Sequence, residues 1–365
     1  MTVLQPTTIP EVQDAVRRAE RIRVRGGGSK PALSAAADGV TLLDLAALRG
    51  MREYEPEEFV FTALAATPVA EIEALLATHG QYLPFDPLLV DRGATLGGVV
   101  AANTAGSGRF RYGGVRDFVI GVRFVDGQGN LVRGGGKVVK NAAGFDLPKL
   151  MVGSLGRLGV LVELSFKVFP RPAAYASLVA HFAHLRTALD ALYRLNTSAF
   201  DLEALDLEPA AEGALALRLR IGGPADVLSL RLDRLQAFLA PGAVGFARLE
   251  GEEEARFWRA RRELTWVPAG HWLVKAPLTP ARIPALEERV AATDVMRLYS
   301  VGGNLAWLAW PPTTPRAAVQ TTLTELGLTG MVLMGPPAEP LLTPLPGAEF
   351  YRRVKQALDP DGRFV

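Results

Sequence analysis

IRVRGGGSK, residues 22–30, runs from a short β-like segment, Ile22–Arg25, into three successive glycines, a serine and a lysine. Glycine enters the left-handed region at no steric cost, so a glycine run lets successive backbone amides turn inward around one point. Such a concavity binds anions, phosphate above all. Two familiar phosphate loops do not fit. Pro31 stands where a dinucleotide fingerprint needs Gly or Ala, and it follows Lys30 where a Walker loop needs Ser or Thr. Pro31 also disfavours a helical Lys30, so the sequence predicts no helix start at this loop and assigns any phosphate to the loop amides and Lys30. The alternative reading is a plain glycine turn.

Composition narrows the rest. At 365 residues with 49% hydrophobic side chains, the chain predicts two domains, each with its own core. Forty basic residues against 38 acidic leave a net charge of +2, and no basic run marks a nucleic-acid face. The absence of cysteine excludes disulfides, a thiol nucleophile and a Cys-ligated zinc or iron–sulfur cluster within the chain. Redox chemistry here needs a borrowed cofactor. Early acidic residues (Glu11, Asp14, Glu20) without an apolar run argue against a signal peptide, and no stretch approaches the ~18 apolar residues of a membrane span. The expectation is a cytoplasmic chain, with any membrane association made through partners.

Along the chain, Val12, Ala15, Val16 and Ala19 share one face of a predicted helix that opens near Pro10. Strands are predicted at 22–25, 40–44 and 59–65, followed by a helix capped by Thr67-Pro68, with Val69, Ile72, Leu75 and Leu76 inward and Gly80 as its stop. From 81 to 170 glycines crowd short β-rich runs, a mark of close approach by another backbone or a ligand. VLVELSFKV, 160–168, alternates as a half-buried strand requires, and Pro170 and Pro172 mark a boundary. Beyond it, strand and helix signals alternate to about 334, and a last helix is predicted at 347–358.

Four stretches in order, RGGGSK at 25–30, DRGATLGGVVAANTAGSG at 91–108, RYGGVRDFVIGV at 111–122 and KNAAGFDLPKLMVGSLGRLGVLVELSFKVFPRP at 140–172, resemble the FAD-binding domain of the vanillyl-alcohol oxidase type. More narrowly, their order and spacing are similar to the FAD-binding subunit (the E subunit) of glycolate oxidases. FW at 257–258 and HWLVKAPLTP at 271–280 carry the similarity through the second half.

The resemblance implies an α+β fold with a two-subdomain FAD-binding domain over 1–172 (about 1–80 and 81–172). A shortened α+β cap over 173–340 follows, and a C-terminal helix and tail, 341–365, return to the FAD domain. It implies that Gly26, Gly27, Gly28, Ser29 and Lys30 clasp the FAD pyrophosphate from one side and Thr95, Leu96, Gly97 and Gly98 from the other. Asn103, Tyr112, Gly113 and Asp117 match positions along the ribityl chain or flavin. Gly156, Gly159 and Val160 match the turn and strand beside adenine or ribose, and Pro84 and Asp86 a loop ahead of the second clasp. With no His in the first loop and no Cys in the chain, the flavin is expected to be non-covalent. The tail ALDPDGRFV departs from the family's usual Asn-Pro-Gly after its Asp-Pro, so no tail contact to the cofactor is assigned from the resemblance.

Oxidising a 2-hydroxy acid needs a base for the hydroxyl proton, a cation for the carboxylate and an oriented flavin. His79 reads as a surface residue, and His181 and His184 as local capping rather than a metal pair. His271 alternates with Leu273 and Lys275 on a predicted strand face. Arg109, Arg111 and Arg116 are candidates for an anionic substrate or for an acidic partner surface. No catalytic residue and no metal ligand is assigned. The resemblance implies a heteromeric glycolate oxidase or dehydrogenase whose sister flavin subunit and iron–sulfur subunit are the partners. Two alternatives stay open: a self-sufficient FAD-dependent 2-hydroxy acid dehydrogenase, and a redox-inactive scaffold with the FAD fold.

Overall fold

The computed structural model describes residues 2–34, 38–136, 145–336, 339–344 and 346–365. Residues 140–144, the KNAAG of the fourth quoted stretch, lie outside them. The chain forms two units, one of residues 1–105, 113–171 and 345–365, the other of 106–112 and 172–344.

The first unit opens with the helix Ile9–Arg18. Thr8 caps it by accepting from the Glu11 amide at 3.3 Å, Pro10 sits in its first turn, and Val12, Ala15 and Val16 face inward. The second helix, Val69–Ala77, starts differently from the sequence reading. Pro68 occupies its N-cap without a side-chain bond, and the Thr67 hydroxyl instead donates to the Leu64 carbonyl at 2.7 Å and accepts from the Gly50 amide at 2.9 Å. Thr67 therefore ties a turn together and does not cap the helix.

Strand Ile22–Arg25 pairs in parallel with Thr41–Asp44, which pairs in parallel with Val3–Leu4. On its open side Ile22 bridges in parallel to Phe364. A five-stranded antiparallel sheet runs in the order Met51–Glu55, Val60–Leu64, Val160–Lys167, Val119–Val125, Leu131–Gly135. Its middle strand buries Val160, Val162, Leu164 and Phe166 on one face, and Leu161 is buried on the other. One core cluster joins the first helix (Val12, Val16), both sheets (Ile22, Leu43, Val125, Val162) and the C-terminal Phe364.

The second unit is built on an eight-stranded antiparallel sheet. Its order is Gly245–Glu250, Ala174–Phe182, Leu215–Gly223, Ala204–Pro209, Met296–Ser300, Leu305–Trp310, Trp272–Pro277, Met331–Met334. The register separates two faces. Ala180, Leu217, Leu207, Tyr299, Ala306 and Ala276 stand opposite one another in one apolar row. The alternate positions, Ser177, Arg218, Arg220, Asp206, Ser300, Trp307 and Lys275, place polar chemistry on the other face. There the helix Gly251–Arg262 is held by Glu254, which accepts two hydrogen bonds from Arg220 (2.7 and 3.0 Å) and one from Ser177.

Candidate functional site

The glycine loop after Ile22–Arg25 opens on a cleft of about 720 Å³, its mouth included. Gly26, Gly27, Gly28, Ser29 and Lys30 form one rim. Gly97, Gly98, Gly156 and Gly159 add three further glycine-lined edges, and Leu33, Leu45 and Leu161 supply apolar wall.

The three glycines of the loop answer three demands. Gly28 alone has a positive φ, 68°. A Cβ on Gly26 would lie 2.5 Å from Thr95 Oγ1, and one on Gly27 would lie 1.8 Å from the Gly93 carbonyl oxygen. Two of the three are thus glycines because the loop passes against residues 93–95, and one because the chain turns left-handed. Among the described residues the amides of Gly26, Gly27, Gly28 and Ser29 donate to nothing, which leaves four successive donors facing the cleft. Lys30 is buried with its side chain lining the same cleft, and its Nζ donates to Ser29 Oγ at 3.0 Å. Burial pushes its ammonium down to about 8. This donor set fits a pyrophosphate.

A short helix, Pro31–Ser34, does begin at this loop, contrary to the sequence reading. Pro31 restricts the residue before it but is itself well suited to a first helical position.

TLGG differs from expectation. It is the first turn of helix Leu96–Ala102, with Thr95 as N-cap. The Leu96 amide donates to Thr67 O at 3.0 Å, Gly97 to Ala65 O at 2.7 Å and Gly98 to Thr95 Oγ1 at 3.3 Å. These amides are spent inside the fold, while Thr95, Gly97 and Gly98 line the cleft opposite the glycine loop. Gly97 contributes by its lack of a side chain, since a Cβ there would lie 2.9 Å from Ala65.

The other expected contacts scatter. Pro84, Asp86, Leu96, Asn103, Tyr112, Gly113, Asp117 and Val160 do not line this cleft. Asp86 (φ 56°) and Asn103 (φ 49°) hold left-handed turns. Asp117 accepts from the Gly114 amide at 2.8 Å, which fixes the turn at Gly113. Val160 is buried in the sheet beside Gly159, where a Cβ would meet the Phe124 ring at 2.7 Å. Tyr112 belongs to the second unit, with the Arg111 guanidinium 4.9 Å above its ring. Ala65, Ala66, Ala101, Ala102 and Leu155 line the cleft without having been singled out. The paired alanines at 65–66 and 101–102 were the available signal, since small side chains leave room for a flat ligand.

The candidate arginines and histidines stand in separate surroundings. Arg111 is committed to Glu203 at 2.8 Å and Asp201 at 3.7 Å, and Arg116 is exposed on the first unit. His271 precedes strand Trp272–Pro277, with Nδ1 3.5 Å from the Ala269 carbonyl, and does not share the strand face of Lys275. His184 occupies the N-cap of helix Leu185–Asn196 without a side-chain capping bond. Among the described residues no group of three His, Asp or Glu can hold a metal ion. Two buried ionisable groups do stand out on the polar sheet face. Asp206 accepts from Ser107 Oγ at 2.5 Å and Ser300 Oγ at 2.7 Å, and burial pushes it up to about 6. Lys275 is pushed down to about 7 by burial, with the nearby Arg109 charge acting in the same direction.

Comparison with known proteins agrees with this geometry. Residues 2–135 match the FAD binding domain family. Glycolate oxidase subunit GlcE of Escherichia coli (strain K12) is 34% identical over 98% of this chain and 94% of its own length. Glycolate oxidase subunit GlcD of Bacillus subtilis (strain 168) is 28% identical over 56% of this chain and 46% of its own. A D-2-hydroxyglutarate dehydrogenase of Xanthomonas citri pv. viticola is 31% identical over 49% and 39%. Among solved structures an alkyldihydroxyacetonephosphate synthase superposes with a TM-score of 0.74 at 17% identity, covering 99% of this chain and 74% of that one, which carries the fold. With FAD as its cofactor and the vanillyl-alcohol oxidase type of FAD-binding fold, the chain belongs to the FAD-binding subunit family of glycolate oxidases.

Proposed function

We propose that the chain is a non-covalent FAD subunit of a multi-subunit glycolate oxidase that turns a 2-hydroxy acid into a 2-oxo acid, relaying electrons or supporting a second, catalytic flavin subunit. The observation that carries this reading is the row of unspent amides from Gly26 to Ser29 beside the buried Lys30, in a chain similar to GlcE along nearly its whole length. When bound, FAD supplies a two-electron acceptor. Gly26–Ser29 and Lys30 hold its pyrophosphate, and the glycine edges at 97–98, 156 and 159 leave space for the rest. The FAD-binding portion is taken as residues 1–172 with the returning 341–365, and the cap as 173–340.

The division of labour follows from what the second unit lacks. Among the described residues no group of three His, Asp or Glu is gathered, and His271, the histidine beside strand Trp272–Pro277, has the Ala269 carbonyl as its neighbour at 3.5 Å. Taking the hydroxyl proton falls to a sister flavin subunit, and onward transfer to an iron–sulfur subunit, since this chain has no cysteine to ligate a cluster. No helix among the described residues is long and apolar enough to cross a membrane. The reading is a cytoplasmic chain, with any membrane association made through partners. The test is dye reduction with glycolate by the FAD-loaded chain alone and by the co-expressed complex at equal flavin. Turnover by the complex with negligible turnover by the chain is the expected result. Equal rates make the chain a self-sufficient dehydrogenase, and a complex that works undiminished with this chain's flavin removed makes it a scaffold.

A further inference from the structure

The helix Ala225–Leu239 packs Leu228, Leu232, Leu235 and Leu239 onto the apolar face of the eight-stranded sheet. Its two flanks differ. On one, Asp233 and Gln236 accept from Arg248 of the edge strand Gly245–Glu250. On the other, Val227, Arg231, Arg234 and Phe238 recur at helical spacing, and Arg231 and Arg234 line a cleft of about 750 Å³, its mouth included. Ile221 and Leu235, both buried, and the half-buried Phe200 give this cleft its apolar lining. The Phe200 ring is held edge-on by Phe238, with 5.2 Å between centroids. Every lining residue belongs to the second unit, and Ile221 points to the sheet face opposite that of Arg220.

Arg231 is fixed in place by the fold itself. Its guanidinium donates to the carbonyls of Gly222 at 2.7 Å and Asp201 at 2.9 Å, which orients it and leaves its charge uncompensated. Gly223 makes room for it, since a Cβ there would lie 3.1 Å from the same guanidinium. Among the described residues Arg234 has no hydrogen bond and no ion pair, and Arg231 has no ion pair. The acids beside the cleft are committed to another cation: Asp201 and Glu203 both pair with Arg111, at 3.7 and 2.8 Å. Arg111, Arg231 and Arg234 set against Asp201 and Glu203 leave one positive charge in excess over an apolar hollow. We infer that this cleft binds a small aromatic monocarboxylate, its carboxylate between Arg231 and Arg234 and its ring against Phe200 and Leu235. A guanidinium fork matches the two oxygens of a carboxylate, and a preformed hollow of this size suits a ligand of about ten heavy atoms. A phosphate monoester brings a second negative charge for which no cation remains.

Fluorine NMR of 4-fluorobenzoate with the FAD-loaded chain is the test, the flavin keeping the cleft of the first unit filled. Broadening of the fluorine line that benzoate reverses is expected. Acetate, which lacks the ring, and phenyl phosphate, which carries the extra charge, should each compete at least tenfold less well, and glycolate not at all. Arg234→Met, at an exposed side chain, is expected to weaken binding about tenfold, the loss of one charge-assisted contact, with Tm and bound flavin unchanged. Arg186→Met, at an exposed arginine of the neighbouring helix Leu185–Asn196, should leave it as it was. No broadening, broadening that Arg234→Met leaves undiminished, or broadening that glycolate reverses overturns the site. Competition by acetate equal to that by benzoate overturns the aromatic body, and equal competition by phenyl phosphate overturns the monocarboxylate class.

Discussion

The carbonyl oxygen of Gly93 lies 1.8 Å from the point a Cβ on residue 27 would occupy. Two loops distant in sequence therefore meet backbone against backbone at the rim of the FAD cleft. The glycines there are packing devices before they are ligand contacts, and substitutions at them must be read for stability first.

Gly27→Ala is expected to destabilise the apo protein by about 3 kcal/mol or more, because a backbone carbonyl cannot rotate aside as a side chain does. Gly28→Ala, strained only by its φ of 68° with no atom nearer than 3.9 Å, should cost about 1–2 kcal/mol. Thermal unfolding of the two apo variants checks the order. A larger loss at Gly28 would contradict the packing described.

Lys30→Met should weaken FAD binding about 10- to 100-fold, the loss of one charge-assisted contact at ~1.5–3 kcal/mol. Phosphate raises the pKa of an ammonium that burial has lowered to about 8, so binding takes up a proton above that pH and affinity falls as pH rises beyond it. The variant should lose this slope. Since the side chain is buried, the wild-type advantage should change little with salt. Titration of flavin fluorescence across pH and ionic strength measures both, and an advantage abolished by salt would place the charge in open solvent.

Asp206 is pushed up to about 6 by burial. A carboxyl raised in the folded state favours folding fully below about pH 4, and that contribution is lost as pH rises through 6. Asp206→Asn, which still pairs both serines, should remove a pH-dependent loss of roughly 2–3 kcal/mol between about pH 4 and 6. Denaturant unfolding of both proteins over this range is the measurement. Parallel curves would show that Asp206 is not the titrating group.

Lys355 donates to Asp359 at 2.5 Å and to the carbonyls of Arg157 and Phe364, each at 2.7 Å. Lys355→Met strands the buried Asp359 carboxylate and should cost about 3–5 kcal/mol. Limited proteolysis should then cut first within residues 359–365, with loss of flavin following. Unchanged protection would show that the amides of Arg363 and Phe364, which also donate to Asp359, suffice.

Where burial repeats with the period of an element, the fold was legible in the residues. VLVELSFKV reads as a half-buried strand and proves to be the middle of a sheet, and LAWLAW, 305–310, falls at a predicted strand and is buried on both faces. Several strands escaped, two of them instructively. Met51–Glu55 lies on a sheet edge with charged residues and no apolar alternation, and Ala204–Pro209 is short and buries Asp206 on the face that its alternation marks as polar. At the cleft, the glycine loop was visible because φ and close approach restrict composition locally. The fate of the Leu96 and Gly97 amides was not, since their acceptors, Thr67 and Ala65, lie some thirty residues upstream and are chosen by folding.

The bridge between Ile22 and Phe364 has a consequence for the order in which the protein is made. The strand that feeds the glycine loop leaves the ribosome early, yet its open edge is covered by residues that follow the whole of the second unit. A nascent chain stalled before residue 346 holds the loop on an unfinished sheet, with the Lys355 clamp still to be translated. Vectorial synthesis therefore leaves the sheet behind the glycine loop unfinished until the whole of the second unit has been made.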